Sequence, residues 1–205
     1  LAREKALGHE HTVELMQQAG YDPATERFLP NSLLASGTTQ ELFELWWPDL
    51  DDDAINHKIA MLDGEFGDIA LAHIKPVLPL PEYLAGLRDA GFRIGVATND
   101  TYKSAMIQLT HLGVADLFDE VMGADSVGRP KPSGDMIRRF AGLMGLPAAE
   151  IAMVGDTHHD LAEARAGGAG LAIGVLTGSA GREHLEGVAD HVIGSIADLL
   201  HVVGR

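Results

Sequence analysis

The chain has 205 residues and no cysteine. That absence excludes disulfides, thiolate zinc sites and thiol catalysis, and it fits a reducing cytoplasm. Basic side chains are scarce, with 15 Lys and Arg against 30 Asp and Glu, for a formal net charge of -15. Such a chain repels polyanions on average, so nucleic acid and anionic membrane surfaces are not expected partners. A small anion remains admissible where local cations, amide dipoles or a metal offset the field. No run of 18 apolar residues occurs, which leaves no candidate membrane span. Repeats and low-complexity tracts are also missing. With 46% hydrophobic and 22% charged residues, the length suits one large domain, or one domain carrying a smaller inserted one.

What is present changes character along the chain. Up to about residue 74 the sequence reads as helices with polar connections and no convincing strand. The stretch "LAREKALGHEHTVELMQQAG" spaces its apolar residues loosely at a helical period and stops at Gly20. "TTQELFELWWPDL" begins with threonine caps and a first-turn glutamate and halts at Pro48. "DDDAINHKIAMLDGEFGDIALAHI" predicts a longer helix, acidic at its positive end and broken near Gly64. "HEH" at 9–11 has the wrong spacing for two metal ligands on one helix face, and Trp46 and Trp47 are expected to divide between a small core and its surface.

From about residue 75, β-rich runs alternate with helical ones. "FRIGVA" (92–97), "EVMG" (120–123), "IAMVG" (151–155), "LAIGVL" (171–176) and "DHVIG" (190–194) are the predicted strands. Helical segments lie between them, several ending in glycine. This alternation predicts an α/β fold, a doubly wound parallel sheet with helices on both faces. The Pro-rich piece "IKPVLPLPE" (74–82) is the predicted linker. Gly168, Gly170 and Gly174 precede a strand where a dinucleotide loop would follow one, so they read as a turn.

Ligands of such sheets bind beyond the carboxyl ends of the strands. Thr98, Asn99 and Asp100 follow the first of them, Lys131 lies in "GRPKP" before a helix, and Asp156 and Asp160 follow "IAMVG". Singly, each has a plainer reading. Thr98 could be a helix N-cap, Lys131 a solvated loop lysine, and the aspartates a cap and a first-turn acid. Together they make a phosphoryl-transfer set: a hydroxyl with neighbouring amides to hold phosphate oxygens, a lysine to offset developing charge, and two carboxylates able to face one hard cation. The set lacks a nucleophile. His158 and His159 sit inside the aspartate loop and read first as a solvated turn.

In this order the residues resemble a known family, the haloacid dehalogenase-like hydrolases, and within it the phosphoglycolate phosphatase-like branch. "GVATND" resembles the family's second motif, "GRPKP" the third and "VGDTHHD" the fourth. The resemblance implies a Rossmann-like core at 75–205 with a small helical cap at 1–74. It implies a magnesium-dependent phosphatase that acts on a small phosphorylated metabolite, of phosphoglycolate type, through a phosphoaspartyl intermediate. Thr98 and Asn99 would bind the phosphoryl oxygens, and Lys131 would stabilise charge. Asp156 would be a magnesium ligand, and Asp160 would hold the metal's waters or orient Lys131.

The family's first motif, Asp-x-Asp-Gly-Thr after an apolar strand, is not found. The nearest lookalike, Asp63-Gly64, has Met61 where the nucleophile belongs and Glu65 in place of the threonine. The first strand and its motif are therefore expected upstream of Leu1. Two other members of the same fold stay open: a binding or interaction protein without the nucleophile, and a 2-haloacid dehalogenase that uses no metal. A receiver-like signalling domain is disfavoured, because its carboxylates precede the hydroxyl and the lysine. Monomer and homodimer are both compatible with the sequence.

Overall fold

The computed structural model describes residues 9–71 and 74–204. The side chains of "HEH" (9–11), of Asp63 and of Glu65 lie outside the described residues.

The first helix, α1 (His9–Gln18), leads into a hairpin of two short strands, β1 (Tyr21–Asp22) and β2 (Arg27–Phe28). Three helices follow: α2 (Leu33–Ser36), α3 (Thr39–Trp46) and α4 (Asp52–Leu71). The hairpin corrects the expectation of a strand-free segment. It forms because Asp22 accepts hydrogen bonds from the Ala24 amide and the Thr25 hydroxyl, closing a turn, while the rings of Tyr21 and Phe28 meet edge-on at 6.1 Å.

Helix α3 begins on the anticipated capping box, in which Thr38 and Glu41 satisfy each other's backbone amides. Helix α4 is unbroken through Gly64, a second correction. An interior glycine costs a helix only about 1 kcal/mol, and although α4 carries two, Gly64 and Gly67, it packs along a helix of the following region. Phe43, Ile55 and Ile59 form the buried cluster here, and Trp46 and Trp47 both pack against it half-buried instead of dividing between core and surface. The Trp46 indole also donates to the Leu15 carbonyl, tying α3 to α1.

Coil runs from 74 to 79, as the prolines predict. Then come α5 (Leu80–Asp89), β3 (Gly95–Ala97), α6 (Tyr102–His111) and β4 (Glu120–Met122). They are followed by α7 (Asp135–Met144), β5 (Ala152–Gly155), α8 (His158–Gly167), β6 (Leu171–Val175), α9 (Arg182–Leu185), β7 (His191–Ile193) and α10 (Leu200–Val203). All five predicted strands form, and every pairing among them is parallel.

The anticipated single sheet is, however, divided into β3–β4 and β5–β6–β7, and among the described residues no ladder joins β3 to β5. One apolar cluster serves both halves. Met122 of β4, Met136, Ile137 and Phe140 of α7, Met153 of β5, Leu161 of α8 and Ala172 of β6 belong to it. A second cluster, built on Leu84, Leu87 and Val114, joins α5 to the end of α6. Among the described residues no helix is long and apolar enough to cross a membrane.

Candidate active site

The carboxyl ends of β3 and β5 converge on Lys131. Its ammonium group donates to the Ala97 carbonyl at 2.9 Å and to Asp160 Oδ1 at 2.6 Å, so one side chain spans the gap between the half-sheets. The Lys131 side chain is 11% exposed and that of Asp160 7%, far from the solvated loop lysine of the plainer reading. A buried ion pair of this kind gives weak net stability, and its value is in holding one geometry. The peptide bond from Lys131 to Pro132 is cis.

Asn99 holds the Lys131 backbone from both sides. Its Oδ1 accepts from the Lys131 amide at 3.0 Å, and its Nδ2 donates to the Lys131 carbonyl at 3.2 Å. The resemblance implies that Asn99 helps bind phosphate; in the structure its side-chain amide bonds the lysine loop and the Ser36 carbonyl. Thr98 behaves differently. Its own amide continues the ladder to Met122, and its hydroxyl oxygen accepts from the Asp100 amide at 3.1 Å. The N-cap of α6 is Thr101, not Thr98, so the capping explanation for Thr98 is removed.

Asp156 and Asp160 follow β5 together but face different partners. Oδ2 of Asp160 closes a capping box with Thr157 at the start of α8, through the Thr157 hydroxyl at 2.7 Å and amide at 3.0 Å, while Oδ1 takes Lys131. Both its oxygens are committed. Asp156 turns the other way, where its Oδ2 accepts from the Ser179 amide at 2.9 Å and hydroxyl at 3.3 Å, and its Oδ1 makes no hydrogen bond among the described residues. The close approach requires glycine at 178, since a Cβ there would lie 1.9 Å from Asp156 Oδ2.

Ser179, four residues past the end of β6, lies beside Asp156 and was not singled out in the sequence; the loop after β6 is the signal that points to it. No sequence signal points to Ser36, whose carbonyl accepts from Asn99 Nδ2 at 2.8 Å and lies 2.9 Å from His159 Nδ1. Since a carbonyl only accepts, this contact is a hydrogen bond when His159 Nδ1 bears a hydrogen. His158 is exposed at the first turn of α8, in line with a solvated position.

A magnesium ion takes oxygen ligands, commonly one or two carboxylates completed by substrate oxygens and water. The open Oδ1 of Asp156 fits that requirement, and Asp160 fits it less well, with both oxygens engaged. Among the described residues no group of three or more His, Cys, Asp or Glu side chains gathers at metal-binding spacing. Beside the lysine loop, the carboxyl of Asp135 is held down to about 2 by hydrogen bonds from Arg129 and Arg138, so those two cations are answered locally and leave Lys131 to the strand ends.

Residues 9–173 match the family model described as haloacid dehalogenase-like hydrolase. A Dickeya dadantii (strain 3937) protein named "Probable phosphatase IndB" is 35% identical over 147 residues, which cover 70% of this chain and 63% of that protein. A phosphoglycolate phosphatase of Neisseria meningitidis is 38% identical over 103 residues, 49% of this chain and 43% of that one. The chain thus spans less than two thirds of the length of these relatives. A crystal structure of a hydrolase from Pseudomonas syringae superposes with a TM-score of 0.68 over 82% of this chain and 78% of that one, at 21% identity, which bears on the fold. The match over 9–173 takes in the Thr98, Lys131 and Asp156 loops whose order first suggested the resemblance, and it settles the family: the chain belongs to the haloacid dehalogenase-like hydrolases.

Proposed function

We propose that the chain carries the larger part of a magnesium-dependent phosphatase for a small phosphate monoester, of phosphoglycolate type, working in the cytoplasm. The observation that carries this reading is the Lys131 ammonium, fixed between Ala97 and Asp160 where the ends of β3 and β5 meet. A phosphoryl group there would have a cation already oriented toward its developing charge. Thr98 would hold a phosphoryl oxygen through its hydroxyl, which donates to no described residue. Asp156 would hold magnesium, whose chemistry is to neutralise phosphoryl oxygens.

The nucleophile is assigned to residues preceding Leu1. β3 and β5 each pair on one side only. A parallel strand laid between them would complete one sheet in the order β4, β3, new strand, β5, β6, β7, and would end beside Lys131. Its aspartate would attack phosphorus and pass through a phosphoaspartyl enzyme that water then hydrolyses. Residues 1–74 form the cap in this reading. The Ser36 carbonyl, held by Asn99 and facing His159, supports it by bringing the helical segment to the mouth of the site. A cap in that place would exclude water and select the leaving group.

The test is hydrolysis of p-nitrophenyl phosphate by the full-length protein, with magnesium and with EDTA. Activity that requires magnesium is expected. Hydrolysis indifferent to EDTA would contradict the reading, and a full-length chain lacking the upstream carboxylate pair would favour a binding protein.

A further inference from the structure

We propose that Glu163 is a positioning residue for Lys131, an inference that rests on the reading of Lys131 as the cation facing the phosphoryl group. Glu163 is fully buried and has no cationic partner among the described residues. A carboxylate in that position is costly unless its oxygens are hydrogen-bonded, and they are. Oε2 accepts from the Gly134 amide at 2.5 Å, and Oε1 accepts from the amides of Met136 at 2.9 Å and Ile137 at 3.2 Å.

These donors lead straight from the lysine loop into α7. The N-cap of α7 is Gly134, in the left-handed region at φ 86°, with no side chain to do the capping. Nor is there room for one, because a Cβ on Gly134 would lie 2.4 Å from the backbone of Ala166 and Gly167. Helix α8 therefore caps α7 from outside, with a negative charge at the positive end of the helix.

The geometry ties this cap to the site. Asp160 and Glu163 are three residues apart on α8 and share a face. Asp160 takes the Lys131 ammonium, and Glu163 takes the backbone beginning three residues downstream of Lys131. Asn99 holds the lysine's own amide and carbonyl from the β3 side. One face of α8 thus fixes both the tip of the lysine and the end of its loop. The Gly134 contact resembles that of an ordinary capping box, but here the carboxylate comes from the helix that also carries Asp160, so the cap and the lysine contact move together.

The experiment uses the full-length protein and Glu163→Gln, which keeps the shape but offers one acceptor oxygen in place of two. A small displacement of the lysine loop should lower kcat about ten- to a hundredfold. KM should stay within about threefold, since substrate binding is shared with other groups. Leu185→Ala, a fully buried core change outside the loop, is the control, and it should lower stability while kcat per folded molecule is kept.

An activity-independent readout is the 1H–15N cross-peak of the Lys131 ammonium, assigned by its loss in Lys131→Ala. It should be present in the wild type and broadened or shifted in Glu163→Gln. Unchanged kcat together with an unchanged cross-peak would overturn the proposal. Should the wild type hydrolyse no phosphate ester, the phosphatase reading falls and the cross-peak alone decides the positioning. Should Glu163→Gln not fold, wild-type exchange decides. Protected Gly134, Met136 and Ile137 amides beside a slowly exchanging ammonium support the role, and freely exchanging amides beside a sharp ammonium signal refute it.

Discussion

The two ends of the divided sheet use the same residue type for different purposes. At the amino ends, each half carries its own aspartate bracket. Asp119, just before β4, accepts from the Ile94 amide at 2.8 Å, donates its own amide to the Ile94 carbonyl and binds Arg88 and Arg93. Asp190, just before β7, does the same with both backbone groups of Ala172 and binds Arg165 of α8. Each bracket stays within one half-sheet. At the carboxyl ends the polar groups cross between halves, from Ala97 to Lys131 to Asp160, and one carboxylate oxygen of Asp156 is left open. Carboxylates whose every contact is local serve strand registration, whereas at the other end Asp160 bridges the gap through Lys131 and Asp156 keeps one acceptor oxygen open, which marks that end as the place for chemistry.

The comparison breaks most sharply at Lys131. In the full-length protein Lys131→Ala should reduce kcat by about 10²–10³-fold, the usual loss on removing one preorganised charge-stabilising group, as read by steady-state hydrolysis of p-nitrophenyl phosphate. An effect below threefold would return Lys131 to a structural role.

Between the two ends lies core, and there the sign of the comparison reverses. Ile173→Ala, in the middle of β6 and fully buried, should cost about 2–5 kcal/mol of stability in urea unfolding, with kcat per folded molecule retained.

The smallest effect belongs to the brackets. The Asp190 carboxyl lies below its ordinary value of 3.8 because Arg165 and the Ala172 amide both bind its charged form, with burial opposing. Asp119 is also lowered, since the Ile94 amide and the two arginines outweigh the burial that pushes it up. A depressed carboxyl contributes stability above its unfolded pKa, and that contribution disappears as pH falls through the folded one. Asp190→Asn should therefore lower the unfolding free energy at pH 6, read from urea unfolding, by no more than about 1 kcal/mol after solvent screening. The gap to wild type should close in acid below 3.8. A gap that persisted or widened at low pH would contradict this sign.

Much of this was legible in the chain. The five parallel strands were readable because short apolar runs and glycine-ended helices alternate with little interference, and the position of Thr98, Lys131, Asp156 and Asp160 at or near strand ends was readable from the same alternation. The β1–β2 hairpin was not, since two-residue strands carry no periodicity and depend on the turn chemistry of Asp22. Gly64 misled because its helical cost is small beside the packing of α4. The bonds from Asn99 to the lysine loop were not legible, because nothing local shows that Lys131, 32 residues later, presents both an amide and a carbonyl to it. Glu163 was overlooked as an ordinary helix glutamate, although its spacing from Asp160 puts it on the same face. The division of the sheet was not visible in any one segment, since it concerns which strand is adjacent to which.

The most direct test of the central claim, that the carboxyl ends alone form one phosphoryl site, is a titration of the full-length protein with inorganic phosphate and magnesium. It is followed by amide 1H–15N shifts. Perturbations are expected at Thr98, Lys131, Asp156 and Ser179, with Asp119 and Asp190 unmoved. Shifts centred on the amino-end brackets, or no saturable shifts at the four carboxyl-end residues, would contradict the claim.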